Sequence, residues 1–278
     1  MKTKDDLSLT APGSLLEARL QAHHAAQLVA AVGATLLEPA ADDSHPNLGW
    51  SRELQALVGR AVPRAAGLRA AIRLADLHVL LLDSQQAQVG ELTLEGLTLA
   101  TGYKSLSDLL AERAKQPGLE ILPTSYELPS HDLEQGAKFG GLSAPALASL
   151  GTWYDLASEL LEESREQNSG ASEVRCWPHH FDLATLISLE GEKSIGVGFS
   201  PGDGSYAEPY WYVSPWPYPA ESELPALPHG HWQTEGFTAA ILTASQMGAQ
   251  IGPEDPASVS RSFLRGAVHA SQQALKSV

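Results

Sequence analysis

The chain has 278 residues, 43% of them hydrophobic, enough to bury a core either as one large domain or as two joined lobes and too apolar for a disordered chain. A formal charge of −15, from 33 acidic against 18 basic residues, makes a surface that repels phosphate backbones and anionic membranes, so neither nucleic acid nor lipid is an expected partner. The lone Cys176 excludes an intramolecular disulfide; with a polar Met1–Asp6 start and no run of roughly 18 to 20 apolar residues, the sequence reads as cytoplasmic.

Apolar residues at Leu16, Leu20, Leu28, Val29, Val32 and Leu36 fall on one helical face. They predict a helix from Ser14 to about Leu37, with Ser14 as N-cap and Glu17 three residues on, and they put His23 and His24 on its polar side. A loop from Pro39 to Trp50 and a short helical stretch from Leu54 to Val58 follow. Strands are expected within Gly67–Asp83, where Leu80-Leu81-Leu82 suits a strand buried on both faces, and within Val89–Leu99. Leu106–Ala114 reads as helix, and the Pro-punctuated Leu122–Pro129 as extended chain.

Leu142–Gln167 is the strongest predicted helix, with Leu147, Leu150, Tyr154, Leu160 and Leu161 on one side and Glu159, Glu162, Glu163 and Glu166 on the other. Short strands then come in close succession at Glu173–Trp177, Asp182–Leu189, Ser194–Ser200 and Tyr206–Val213, the pattern of an antiparallel meander. The prolines from Pro215 to Pro228 argue against regular structure. Helices at about Gly236–Gln250 and Pro256–Lys276 complete an α+β fold, its sheet mainly antiparallel with strands in about 67–99 and 173–213. We expect one large α+β domain over 1–278, with an N-terminal lobe of about 1–170 and a motif-bearing lobe of about 171–278.

Trp177-Pro178-His179-His180-Phe181-Asp182 packs two imidazoles, a carboxylate and two large aromatics into six residues. If this run is extended, the two-residue period puts His180 and Asp182 on one face, where Asp182 can orient His180 as a base or share an ion with it. The competing structural reading makes one histidine a hydrogen-bonding core corner and Asp182 a turn cap. Asp203, in Ser200-Pro201-Gly202-Asp203-Gly204, is turn chemistry first and a ligand-facing carboxylate second.

Tyr206–Trp216 gathers five aromatic residues, with Tyr210 and Tyr212 on one strand face, Trp211 on the other, and Glu208 close by. His229-Gly230-His231 puts both imidazoles on one side of an extended segment, a frequent half of a zinc or iron site; a solvated loop is its alternative. The elbow of serine hydrolases and the paired motifs of zincins and zinc ribbons are missing from the sequence.

The set WPHHFDLATL (Trp177–Leu186), GFSPGD (Gly198–Asp203), EPYWYV (Glu208–Val213) and PWP (Pro215–Pro217) resembles an uncharacterised group of bacterial proteins classed as a domain of unknown function. The resemblance is densest over Val174–Pro219 and reaches His45-Pro46-Asn47 and Leu92–Gly96. It implies that these segments act as one unit and brings no activity, cofactor or catalytic residue with it.

Three readings therefore stand. The first is a metal-assisted enzyme in which His179, His180, His229 and His231 hold zinc, iron or manganese and His180, Asp182, Asp203 and Glu208 do catalysis. The second is a non-catalytic module that binds a small molecule against Trp177, Tyr210, Trp211 and Tyr212. The third is a structural protein, assembling as a homo-oligomer, in which the same rings are core and interface.

Overall fold

The computed structural model describes residues 12–250 and 255–276; the Met1–Asp6 segment lies outside them, and Ser14 falls inside a helix that begins at Pro12 rather than capping it. The fold is α+β, as the sequence predicts, with a five-stranded and a six-stranded antiparallel sheet. The chain forms two compact units, Ser14–Gly151 with Cys176–Phe181 (the N-terminal unit) and Thr152–Arg175 with Asp182–Val278 (the C-terminal unit). Among the described residues no helix is long and apolar enough to cross a membrane.

The N-terminal unit is organised by α1 (Pro12–Leu36), in which every residue from Gln21 to Gly33 is buried. The run is rich in alanine, which lets neighbouring chain approach closely, and Gly33 faces the backbone of His45 and Pro46. The expectation that His23 and His24 lie on a solvated side is corrected, since they are only 4% and 1% exposed. A helix packed on all sides has no polar face, so its polar side chains must find partners inside the protein.

They find them in irregular chain. His23 Nε2–H and Gln27 Nε2–H both donate to the Pro178 carbonyl, at 2.8 and 2.7 Å. His24 donates to the Pro129 carbonyl, Thr124 donates to Gln27 Oε1, and Gln21 exchanges two hydrogen bonds with the Gly140 backbone.

The five-stranded sheet follows chain order: β1 (Gly49–Ser51), β2 (Ala56–Val58), β3 (Arg69–Arg73), β4 (His78–Leu82) and β5 (Gln88–Thr93). Val79 to Leu82 are all buried, as expected of a strand covered on both faces. Residues 54–58 are not helical as predicted; Ala56–Val58 pairs with both β1 and β3, and so short an apolar run carries no period to separate the two states. α2 (Leu99–Ala114) starts earlier than expected, because the Thr98 hydroxyl accepts from the Thr101 N–H at 3.2 Å and caps it.

α3 (Ala144–Gln167) leads to β6 (Arg175–Trp177), β7 (Asp182–Ser188), β8 (Ser194–Ser200), β9 (Tyr210–Trp216), β10 (His231–Gln233), β11 (Ala239–Thr243), α4 (Ala244–Gln250) and α5 (Pro256–Ala274). The sheet order is β10-β11-β9-β8-β7-β6, so β7, β8 and β9 form the expected meander. One face is core. Phe199 stacks on Trp153, meets Tyr154 edge-on and lies 5.2 Å from the Trp211 ring, while α5 packs across β8, β9 and β11. Glu163 of α3 takes a two-pronged hydrogen bond from Arg261 of α5, at 2.7 and 2.9 Å.

The predicted helix over 236–250 is half wrong. Ala239–Thr243 is wholly buried and pairs with β9, and the helix begins only at Ala244. Sheet pairing decides what an apolar run of five residues leaves open.

Candidate functional site

The Trp177–Asp182 run is a reversal, not an extended lead-in. The N–H groups of His180 and Phe181 both donate to the Trp177 carbonyl, at 3.1 and 2.7 Å, and Phe181 adopts a left-handed φ of 56°. His180 and Asp182 therefore do not share a strand face as predicted: the turn belongs to the N-terminal unit, and Asp182 opens β7 in the other.

Within the turn the two adjacent imidazoles are 4.1 Å apart, with the His179 ring 5.1 Å from Tyr126 and edge-on to Trp177. Among the described residues His179 Nδ1 is buried without a hydrogen-bond partner, and burial, then the neighbouring His180, lowers the pKa of His179. Deeper in, His23 lies parallel to Phe181 at 5.0 Å. Burial pushes its pKa down to about 4, against the opposing pull of the Pro178 carbonyl.

The C-terminal unit carries a second, larger polar arrangement on the other sheet face, around a small buried cluster of Tyr210, Ala239 and Ile241. Alternation brings Tyr210 and Tyr212 of β9 to this face with His231 and Gln233 of β10 and Asp182 of β7. Gly198 stands directly opposite Tyr212, and a Cβ there would run into the tyrosine ring. The bare glycine lets Tyr212 lie across β8 and donate its hydroxyl to Asp182 Oδ2. Tyr210 donates to Asp203 Oδ2 at 2.6 Å, while the other oxygen of Asp203 accepts the N–H groups of Ser205 and Tyr206. Asp203 is thus both the turn former and a partner of the face.

Burial first, and the facing carboxylates after it, raise the pKa values of Tyr210 and Tyr212 far above the usual phenol range. Both stay protonated donors and cannot serve as phenolate bases.

The outer part of the face is a directed chain. Gln246 Oε1 accepts from the Thr243 N–H, which fixes the amide so that its Nε2 donates to His231 Nδ1 at 3.0 Å. The ring proton of His231 is then on Nε2, pointing at the Tyr206 hydroxyl at 3.3 Å, and that hydroxyl donates to Gln233 Oε1. Tyr206, Tyr212, His231 and Gln233 are all partly exposed, and the Tyr206 and Tyr210 rings lie 4.9 Å apart.

The remaining sequence candidates fall elsewhere. Trp211 is fully buried on the core face and cannot line a ligand wall. Glu208 Oε2 is engaged by the N–H and hydroxyl of Ser245 in the first turn of α4, at 2.7 and 2.6 Å. His229 and His231 are not two steps along one strand, because Gly230 has a φ of 74° and packs against the Ile241 carbonyl. Among the described residues no group of three or more His, Cys, Asp or Glu side chains is disposed to hold a metal ion.

Gln233 and Gln246, which complete the His231 chain, escaped the sequence reading; their only signal was proximity to the HGH run. Compared with protein families, curated proteins and solved structures, the chain matches none.

Proposed function

We propose that the tyrosine face of the six-stranded sheet binds a small, polar, uncharged or cationic ligand and does so without catalysis. The observation that carries this reading is the chain Gln246–His231–Tyr206–Gln233, an oriented row of hydrogen-bonding groups beside partly exposed ring faces. Groups locked in this way recognise a ligand with little ordering cost, and aromatic faces take the apolar side of a sugar or an alkylammonium. The carboxylates of Asp182 and Asp203 stand behind the hydroxyls, so the face disfavours anions. Its hydroxyls and carboxylates are bonded to one another, which supports recognition over nucleophilic chemistry.

Ligand-observed NMR with monosaccharides, primary and quaternary amines and small carboxylates tests this reading. Saturable binding of the neutral or cationic compounds, weakened about fivefold by Tyr206→Phe through loss of one hydrogen bond, is the expected result, with any carboxylate binding left unchanged by that variant. Carboxylate binding that Tyr206→Phe weakens to the same extent, or insensitivity of the neutral and cationic ligands to Tyr206→Phe and His231→Ala together, would refute it.

A further inference from the structure

The N-terminal unit holds a cleft of a different character, with a volume of about 530 Å³, between the end of α1, the 40–45 loop and the 3-10 turn at Pro63–Ala65. Leu36 and Leu37 supply apolar wall, and Arg60, Arg64 and His45 supply donors. The Ala40 N–H donates to His45 Nδ1 at 3.3 Å, so the imidazole proton sits on Nε2 and remains available. Among the described residues Arg60 donates a hydrogen bond from its Nε, to the Ser44 carbonyl at 3.2 Å, which orients the guanidinium and leaves its two terminal nitrogens without a hydrogen bond, though the Asp42 carboxylate is near enough to feel its charge.

Arg64 makes no ion pair or side-chain hydrogen bond among the described residues. It also borders a second cavity of about 400 Å³, lined from the far side by residues 116–120. In a chain with 33 acidic and 18 basic residues, two arginines share a cleft whose described lining includes one carboxylate, Glu38, with Asp42 of the bounding loop close to Arg60. Forked guanidiniums with their outer nitrogens uncommitted are suited to two-pronged capture of a phosphate or carboxylate.

We infer that this cleft binds a small organic anion, with its phosphate or carboxylate head held by Arg60, Arg64 and His45 Nε2–H and its apolar body against Leu36 and Leu37. The site is independent of the tyrosine face and selects the opposite charge. Calorimetric titration of the full chain with phenyl phosphate, benzoate, inorganic phosphate and benzyl alcohol tests it.

Phenyl phosphate or benzoate binds saturably, and whichever is tighter identifies the head group. Arg64→Ala weakens that binding at least tenfold, and Arg64→Lys, which keeps the charge and loses the fork, falls between. Arg64 is exposed, so neither variant endangers folding. The inference is overturned if neither aryl anion binds, if benzyl alcohol binds equally well, if inorganic phosphate alone binds as tightly as phenyl phosphate, or if Arg64→Ala leaves the affinity unchanged.

Discussion

The two units solve one problem, the placement of polar groups in an apolar interior, in opposite ways. In the N-terminal unit the buried His23, His24 and Gln27 of one helix, close along it to the buried Arg19, bond to backbone carbonyls of irregular chain. In the C-terminal unit the partners are carboxylates, the buried Asp182 and the half-buried Asp203, which accept from tyrosine hydroxyls of β9. A neutral group on a carbonyl holds the fold only while it stays neutral. Acid should therefore strike the first unit through its histidines, whereas lost hydroxyls should strike the second.

The largest expected effect bears on the core beneath the tyrosine face. Phe199→Ala removes a ring touching Trp153, Tyr154 and Trp211, and should cost about 4 kcal/mol in urea unfolding. It should leave the pH dependence of the N-terminal unit as it was.

Next comes that pH dependence. His23 has a folded pKa of about 4 against 6.5 for the free side chain, so the unfolded chain binds the extra proton first. The stability of the native state is intact above about pH 6.5 and falls as the pH drops toward 4, by about 3 kcal/mol. The lowered pKa values of His24 and His179 act in the same direction. Urea midpoints across this range, compared with those of His23→Gln, check it; a variant with the same slope as the wild type would show that His23 is not the source.

Tyr212→Phe deletes the donor to Asp182 and should cost about 2 kcal/mol, the scale for a hydrogen bond to a charged group. Gly198→Ala should cost about as much by pushing the same ring off its partner, so the double variant should lose less than the sum of the two. Additivity would mean that the glycine does not act through Tyr212. The smallest change is Arg64→Ala, expected to alter stability by no more than about 0.5 kcal/mol while removing anion binding.

Much of the fold was legible because its signals are local. Ser194–Ser200 alternates and ends in turn residues, and the Leu147-to-Leu161 spacing marks α3. The failures have a common cause. Burial of α1 on all sides, the sheet pairing of Ala239–Thr243 and the reversal at Phe181 are imposed by contacts distant in sequence.

The candidate site was half legible for the same reason. Alternation told correctly that Tyr210 and Tyr212 share a face and Trp211 does not, and Asp203 announced itself as a turn former. That Asp182 answers to Tyr212 rather than His180 depends on an empty glycine one strand away, and the partners of His231 depend on the fixed amide of Gln246. The arginines of the anion cleft stand in unremarkable sequence, and only the fold brings them together.

The side chains of α1 that grip irregular chain also determine where this protein can be re-engineered. Segment 115–131 is tied down by Thr35 at Leu122, Gln27 at Thr124 and His24 at Pro129, and by Ser107 of α2 at Ile121. A peptide tag spliced in between these fastenings would have to unhook them. One spliced in at the exposed tip, residues 116–118, would hang outside them, so proteases should nick the tip long before they reach the tethered stretch.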